Sequence, residues 1–290
     1  MKGIVLAGGN GKRLHPLTVG TSKQLLPVYN KPLIYYPISV LMLAGIRDIL
    51  VISSPRTLPA IRGLLSDGSQ LGLNFSYRVQ PTPRGIADAF LVGADFIDGD
   101  NTALILGDNV FHGAGFPRLL RKSIATVDGC TLFGYPVSDP ERYGIGETDE
   151  FGNLVSIEEK PLRPRSSNAI TGLYFYDSEV VEIARSVTPS ERGELEITDV
   201  NRAYLKQGRA KLVRLGRGFT WLDSGTHDSL LAASQYVQVI EQRQGERVAC
   251  LEEIAVRMGY ISQEDCARMG AEMQDSGYGR YLMEIAESLH

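Results

Sequence analysis

A glycine-rich stretch near the N-terminus carries the first residues whose types and spacing could do chemistry. Three of the four positions from Gly8 to Gly11 are glycine, they follow the apolar run 3–6, and Arg13 and Lys23 come soon after. Glycine lets the backbone approach a ligand closely and aim its N–H groups at it, and cations nearby suit phosphate. The stretch therefore predicts a nucleotide phosphate site, and the alternative is a tight turn with two solvated cations.

Two common glycine motifs do not fit this stretch. A dinucleotide fingerprint needs G-x-G-x-x-G, and Leu14 stands where the third glycine would be. A P-loop needs G-x-x-x-x-G-K-[ST], but Leu6 occupies the first position and Arg13 follows Lys12 in place of serine or threonine. A nicotinamide-dependent dehydrogenase is therefore disfavoured, and other parts of the chain must decide the ligand.

Two aspartates follow hydrophobic runs much later in the chain. Asp108 comes after Leu-Ile-Leu-Gly, and Asp223 comes after Phe-Thr-Trp-Leu. Each alone is more often a turn or cap residue. Two of them at one sheet edge, near a phosphate loop, fit Mg²⁺ better, because this ion is typically held by one or two carboxylates together with substrate phosphates.

The elements that must position these residues alternate between strand and helix through the first half of the chain. Strands are predicted at 3–6, 48–53, 74–80, 102–106 and 130–137, and helices at 33–44, 58–65, 86–96 and 116–126. Such alternation indicates βαβ units and a mostly parallel sheet covered on both faces. Because ligands of such sheets lie beyond the carboxyl ends of the strands, we expect Gly8, Gln80 and Asp108 to meet at one edge.

The second half of the chain shows a different pattern. We expect a hairpin from 142–148 and 154–158, strands at 168–176, 211–215 and 220–222, and a helix at 178–186. A further helix is predicted from Glu194 onward, with Thr198 as its N-cap. After 227 only helices are predicted, at 228–243, 251–258, 262–273 and 281–288, and Ser262 with Asp265 resembles a capping box.

Charge, cysteine spacing and the length of apolar stretches argue against several classes of protein. A net charge of −4 and a pI of about 5.7 argue against a nucleic-acid binder, which usually has a strong basic excess. The three cysteines form no C-x-x-C, so we expect reduced core thiols in a cytoplasmic protein rather than disulfides or a zinc site. The longest uncharged apolar stretch, 33–46, is shorter than the roughly 20 residues of a membrane span, so a buried helix is expected there. The N-terminus enters a strand directly, and no signal peptide is expected.

Seven segments, taken together, resemble the sugar-nucleotide pyrophosphorylase family. They are Leu6–Leu14, Ser22–Pro27, Leu106–Asn109, Asp139–Gly144, Glu158–Pro161, Gly193–Asp199 and Trp221–Thr226. The segments run in order along nearly the whole chain, and they are most similar to the branch that transfers a thymidylyl group to glucose 1-phosphate. The resemblance implies an α/β, Rossmann-like nucleotidyltransferase fold, with a mostly parallel sheet flanked by helices and a helical C-terminal appendix. It also implies a catalytic domain at 1–226, with sugar-binding insertions at about 137–225, and a helical subunit interface at 227–290.

The resemblance implies an activity as well. Enzymes of this branch condense dTTP with α-D-glucose 1-phosphate to dTDP-glucose and pyrophosphate in the presence of Mg²⁺. This reaction is the first step towards dTDP-rhamnose and related deoxysugars. The sugar phosphate attacks the α-phosphorus, so positioning and electrostatic stabilisation suffice and no nucleophilic side chain is needed. A cytoplasmic homotetramer without nucleic-acid or membrane partners is implied. The same chemistry with another nucleotide or sugar phosphate, and an inactive regulatory relative, remain as alternatives.

The resemblance also assigns roles to individual residues. The catalytic residues are Arg13, Lys23, Lys160 and Asp223. The nucleotide is bound by Leu6, Gly8, Gly9, Gly11, Arg13, Lys23, Gln24, Gln80, Gly85 and Asp108. The sugar phosphate is bound by Asn109, Gly144, Glu159, Lys160 and Tyr174, and Mg²⁺ by Asp108 and Asp223. A second nucleotide site, which the family has at a subunit interface, is matched by Gly113, Arg217, Cys250, Glu253 and Arg257.

Some residues depart from the family pattern or admit a simpler role. Lys12 replaces a threonine that is often found beside the phosphates, and Pro117 replaces a histidine at the second site. Gln80 could pair with the N3–H and a carbonyl of thymine, or could make only a strand-end hydrogen bond. Tyr174 is expected either at the sugar or in the core.

Overall fold

The computed structural model describes residues 1–9 and 11–288, and it alternates strands and helices along the chain. Its strands are β1 (Lys2–Leu6), β2 (Pro27–Val28), β3 (Lys31–Pro32), β4 (Asp48–Ser53), β5 (Asn74–Val79), β6 (Thr102–Leu106), β7 (Asn109–Gly113), β8 (Cys130–Pro136), β9 (Gly144–Thr148), β10 (Leu154–Glu159), β11 (Asn168–Tyr176), β12 (Ala210–Arg214) and β13 (Phe219–Asp223). Its helices are α1 (Leu17–Gly20), α2 (Tyr35–Leu43), α3 (Leu58–Leu65), α4 (Asp88–Val92), α5 (Ala94–Ile97), α6 (Phe116–Ala125), α7 (Val180–Ser186), α8 (Ile197–Lys206), α9 (His227–Gln244), α10 (Leu251–Arg257), α11 (Gln263–Glu272) and α12 (Gly277–Ser288).

Within the described residues, the centre of the fold is a nine-stranded sheet. Its main path runs β10-β9-β11-β6-β1-β4-β5, with β8 paired to β11 and β12 paired to β8. Strands β1, β4, β5 and β6 are parallel, as the alternation of elements predicts, and so are β8 and β12. Strand β11 runs antiparallel to β6, β8 and β9, so the sheet is mixed. The predicted α/β architecture is confirmed.

Hydrophobic layers cover both faces of the sheet. Adjacent residues of a strand point to opposite faces, so Val5 packs in the layer under α2 with Ile38, and Ile4 packs in the opposite layer with Phe90 and Tyr176. All of these side chains are fully buried. Burial of each such side chain stabilises the fold by about 1.5–3 kcal/mol before the entropy of ordering is counted.

Several predicted elements differ from the observed ones. Strand β7 was not predicted, because its short segment follows the polar pair Asp108-Asn109 and its partner β13 lies far along the chain. The predicted helix 86–96 is broken at Gly93 into α4 and α5. The prediction of Thr198 as an N-cap is wrong, since the helix begins at Ile197 and the threonine is buried in its first turn.

The C-terminal helices pack against the sheet domain and against one another. Helix α10 lies on α2, and α11 packs on α12, where Cys250 and Cys266 are buried as free thiols. The predicted capping box at Ser262 is confirmed. A buried ion pair between Lys31 and Glu241, with Nζ and Oε1 2.6 Å apart, joins β3 to α9. The division at 226 and 227 stays a prediction, and positions 289 and 290 of the predicted appendix lie outside the described residues.

No helix in the described part of the chain combines the length and the apolar character that crossing a membrane requires.

Candidate active site

Two adjoining cavities open at the carboxyl ends of the parallel strands. The first has a volume of about 260 Å³ and the second about 270 Å³. Both are lined by Leu106, Asp108, Glu159 and Lys160, so they share a wall where β6 ends. This is the sheet edge at which ligands of parallel α/β sheets bind. The structure therefore brings two ligand-sized spaces together at Asp108.

Gly8 and Gly9 of the glycine loop line the second cavity, whereas the predicted nucleotide residue Gly11 lies outside its lining. Gly9 and Gly11 have φ values of 96° and 56°, which L side chains rarely adopt, so the loop depends on glycine there. A Cβ atom on Gly8 would lie 3.2 Å from Oε1 of Gln80. Gln24 Nε2 donates a hydrogen bond to the carbonyl oxygen of Gly8 at 3.3 Å. Asn10, which the loop prediction includes, lies outside the described residues.

Gln80 and Gly85 form the far wall of the second cavity, as expected from strand β5. Nε2 of buried Gln80 donates to Oδ2 of Asp88 at 2.8 Å, which leaves the amide oxygen Oε1 facing the loop as an acceptor. Gly85 has a φ of 105°, and a Cβ atom there would lie 2.4 Å from the carbonyl oxygen of Leu195. Leu6 and Gln24 complete the set of predicted nucleotide residues that line this cavity.

The two aspartates meet through the unpredicted strand pair. In the β7–β13 ladder Asp223 lies opposite Asn109, and the backbone N–H of Ser224 donates to the carbonyl oxygen of Asp108 at 3.1 Å. Lys23 forms an ion pair with Oδ2 of Asp108. The two strands thus bring Asp108 and Asp223 side by side, although 114 residues lie between them in the sequence.

The electrostatics of this pair depend on burial and on the neighbouring charges. Burial opposes the charged form of Asp108, but Lys23 and the Asn109 amide hold the pKa of Asp108 below its ordinary value. Burial, and next the negative charge of Asp108, raise the pKa of Asp223, while Lys23 and Arg13 act in the opposite direction. The two carboxylates repel each other, and a cation bound between them would relieve that repulsion.

The side chain of Arg13, which follows the glycine loop, extends to Asp223. A Cβ atom on Gly225 would lie 3.0 Å from Nη2 of Arg13 and 3.2 Å from Oδ1 of Asp223, so both side chains close over this glycine. The donor set is two carboxylates with free lone pairs beside a cavity, which fits a hard divalent cation that completes its shell with phosphate and water. The described residues contain no group of three or more His, Cys, Asp or Glu side chains arranged to hold a metal ion.

The five predicted sugar residues line the first cavity. Oε2 of Glu159 accepts a hydrogen bond of 2.6 Å from the hydroxyl of Thr198, and Oε1 lies 3.6 Å from Nζ of Lys160. Lys160 has a φ of 44°, a strained value for a residue that precedes proline, and its N–H donates to the carbonyl oxygen of Tyr143 at 3.0 Å. Tyr174 is almost fully buried yet lines the cavity, and burial raises the pKa of its hydroxyl. Gly144 and Asn109 complete the set.

Sequence reasoning missed several cations around the site. Arg192 lines the second cavity and pairs with Glu196 at 2.9 Å; its place directly before the Gly193–Asp199 motif was the available signal. Arg142 lines the first cavity. A third cavity of about 440 Å³ opens beyond the glycine loop; Lys12 and Lys23, which the sequence predicted near the phosphates, line it together with the unpredicted His15 and Arg56.

The residues predicted for a second nucleotide site divide into two groups. Gly113, Glu253 and Arg257 line one cavity of about 380 Å³, together with Pro117. Cys250 is 1% exposed and packs with Cys266 instead, and Arg217 lies exposed in the turn before β13, outside the lining of that cavity. The structure therefore brings three of these five residues together.

In both sequence and structure, the chain is similar to known nucleotidyl transferases. The sequence model of the family described as nucleotidyl transferase matches residues 2–239. A glucose-1-phosphate thymidylyltransferase of Xanthomonas campestris pv. campestris (strain B100) is 54% identical over 286 residues, covering 99% of this chain and 97% of the relative. Another, of Neisseria meningitidis serogroup A, is 54% identical over 285 residues, covering 98% and 99%. A solved structure of a candidate glucose-1-phosphate thymidylyltransferase of Bacillus anthracis, in complex with sucrose, superposes with a TM-score of 0.76 at 40% identity and covers 81% of this chain and 94% of that one.

Proposed function

This chain belongs to the nucleotidyl transferase family, and we propose that it acts as a glucose-1-phosphate thymidylyltransferase. The reaction condenses dTTP with α-D-glucose 1-phosphate to dTDP-glucose and pyrophosphate. The observation that carries the proposal is the shared wall of the two cavities at Asp108, Glu159 and Lys160. Two anionic substrates bound on either side of that wall would have their phosphates adjacent, which is the arrangement that transfer between them requires.

The nucleotide is assigned to the second cavity and the glycine loop. The base lies against Gln80 and Gly85, where the Gln80 amide oxygen can accept the N3–H of thymine. The α-phosphate lies near Arg13, and the two outer phosphates extend past Lys23 into the basic third cavity with Lys12. Positive charge there stabilises the pyrophosphate as it leaves.

The sugar phosphate is assigned to the first cavity. Glu159 and the backbone at Gly144 face the sugar hydroxyls, and Thr198 holds the Glu159 carboxylate in place. Lys160 pairs with the sugar phosphate and orients its oxygen towards the α-phosphorus. Because that oxygen is itself the nucleophile, no side chain needs to form a covalent intermediate.

We assign Mg²⁺ to Asp108 and Asp223, on the strength of the paired oxygen donors and the repulsion between them. When bound, the ion neutralises charge on the phosphate oxygens of the transferring group. Lys23 now neutralises Asp108, so we expect its ammonium group to move to the phosphates when the metal and the nucleotide arrive.

The experiment that tests the reaction measures pyrophosphate release from glucose 1-phosphate with each of dTTP, UTP, CTP, ATP and GTP. We expect turnover with dTTP as the preferred nucleotide. Uracil carries the same N3–H as thymine, so Gln80 alone does not separate them and UTP is the closest competitor. Preference for another nucleotide would overturn only the thymidylyl part of the proposal. Absence of turnover with every nucleotide would favour an inactive regulatory relative.

Assembly and feedback form the second part of the proposal. We propose a cytoplasmic homotetramer in which the helices after residue 226 contribute to the subunit interface. The cavity with Gly113, Glu253 and Arg257 is the candidate second nucleotide site. Titration with dTDP-rhamnose, followed by thermal shift and inhibition, tests it, and no effect below millimolar concentration would refute it.

A further inference from the structure

The side chain of Asn109 is held by three hydrogen bonds inside the protein. It is 2% exposed. Its amide oxygen accepts from Nε1 of Trp221 at 2.6 Å and from the backbone N–H of Gly172 at 3.2 Å. An amide NH₂ group could not accept from these two donors, so the opposite orientation of the Asn109 amide is excluded. Its Nδ2 therefore points to Asp108 and donates to Oδ1 at 2.9 Å. The amide is therefore engaged with the carboxylate, although Asn109 also borders the sugar cavity.

Trp221 is fixed by its surroundings in the position that this bond requires. It lies on β13 opposite Phe111, which places it diagonally across the ladder from Asn109 and on the same face. The indole packs edge-on against Tyr143 and Tyr135, with ring centroids 5.3 and 6.0 Å away. It is 7% exposed, so its N–H depends on Asn109 for a partner.

Gly172 provides the second fixed donor. The pairing of β11 is irregular between Ile170 and Tyr174, and this irregularity frees the N–H of Gly172 to reach Asn109. A Cβ atom on Gly172 would lie 2.6 Å from Oδ1 of Asn109, so no larger residue leaves room for the amide. Two rigid elements thus converge on one amide oxygen.

We propose that Trp221 acts through Asn109 as a positioning residue for the Asp108 carboxylate, an inference that rests on the proposed metal role of Asp108. The two oxygens of Asp108 are held from different sides, Oδ2 by Lys23 and Oδ1 by Asn109. When Lys23 moves to the phosphates, the Asn109 amide still holds Oδ1 and keeps the carboxylate turned towards Asp223. Outer partners of this kind commonly change metal affinity about 10- to 100-fold when removed.

The test measures metal binding directly, with Mn²⁺ alone as the probe. Trp221→Phe removes the N–H donor and keeps an aromatic ring. We expect Mn²⁺ affinity, read from the electron paramagnetic resonance signal of free Mn²⁺ as protein is added, to fall about 10-fold. In turnover assays the Mg²⁺ concentration for half-maximal rate should rise by a larger factor than the KM for glucose 1-phosphate, because Trp221 and Asn109 also line the sugar cavity. Tyr135→Phe is the matched control, because it keeps the ring beside Trp221, and it should bind Mn²⁺ as the wild type does.

The outcomes separate this inference from its alternatives. Trp221→Phe with wild-type Mn²⁺ affinity overturns the proposal. So does a rise only in the KM for glucose 1-phosphate, which would confine the role of Trp221 and Asn109 to the sugar cavity that both line. If Trp221→Phe does not fold, Asn109→Ser decides by the same titration, since it removes the amide donor to Asp108 and retains the indole ring; wild-type Mn²⁺ affinity in that variant overturns the proposal. A wild type that binds Mn²⁺ but releases no pyrophosphate refutes the proposed reaction and still permits the Mn²⁺ comparison.

Discussion

Asp223→Asn is expected to lower the rate of catalysis without lowering the stability of the fold. The substitution keeps the shape of the side chain and removes one of the two charges at the end of the β7–β13 ladder. Loss of one preorganised electrostatic group typically lowers turnover about 100- to 1,000-fold, or about 2.7–4 kcal/mol in activation free energy. We expect a fall of at least about 100-fold in kcat at saturating Mg²⁺.

The same substitution should not destabilise the fold. Asp223 is partly buried, and its charged form is opposed by burial and by the neighbouring charge of Asp108. A neutral amide removes both penalties, so the free energy of unfolding is expected to stay equal or to rise. Urea denaturation followed by tryptophan fluorescence measures this, because Trp221 is the one tryptophan of the chain and lies two residues away.

Asp228→Asn provides the matched control, since it removes the same charge from an exposed residue near the start of α9. Its kcat should equal that of the wild type. Near wild-type turnover of Asp223→Asn at saturating Mg²⁺ would refute the metal assignment. A large loss of stability in Asp223→Asn would instead show that the carboxylate is structural.

Three further substitutions test the parts of the structure around the site. Lys31→Met removes the 2.6 Å partner of the buried Glu241 carboxylate, which keeps Arg247 at 2.8 Å. It should reduce the free energy of unfolding by about 1.5–3 kcal/mol in urea denaturation, and wild-type stability would refute the ion-pair argument. Thr198→Val removes the 2.6 Å hydrogen bond from the Thr198 hydroxyl to Glu159. It should raise the KM for glucose 1-phosphate about 10-fold and leave the KM for dTTP unchanged. Equal changes in both KM values would contradict the assignment of Glu159 to the sugar side. Gly85→Ala places a Cβ atom 2.4 Å from the carbonyl oxygen of Leu195, at a residue with positive φ. It should lower the free energy of unfolding by at least about 2 kcal/mol in urea denaturation. Wild-type stability would show that the loop relaxes freely.

Local signals in the sequence were sufficient for much of the fold. Continuous apolar runs identified the buried parallel strands, and the Ser262–Asp265 pair identified a helix start, because both effects act within a few residues. The prediction that Gly8, Gln80 and Asp108 meet follows from strand direction alone, and these residues line one cavity.

What the sequence did not reveal depends on contacts between distant segments. Strand β7 exists because β13 pairs with it, and nothing within β7 itself distinguishes it from a loop. All nine residues of β11 are buried, so its pattern gives no indication that it runs antiparallel to β6. Thr198 matched the composition of an N-cap, but its hydroxyl bonds Glu159 from another element, which the local pattern cannot show.

The most direct test of the central claim is the stereochemical course of the reaction at the α-phosphorus. The two cavities meet at Asp108, so the sugar phosphate is placed to displace pyrophosphate in a single in-line step. With one diastereomer of dTTP that carries sulfur on the α-phosphate, ³¹P nuclear magnetic resonance of the sugar nucleotide formed reports the configuration. Inversion is the predicted result. Retention would require a covalent nucleotidyl-enzyme intermediate and would contradict direct transfer between the two cavities.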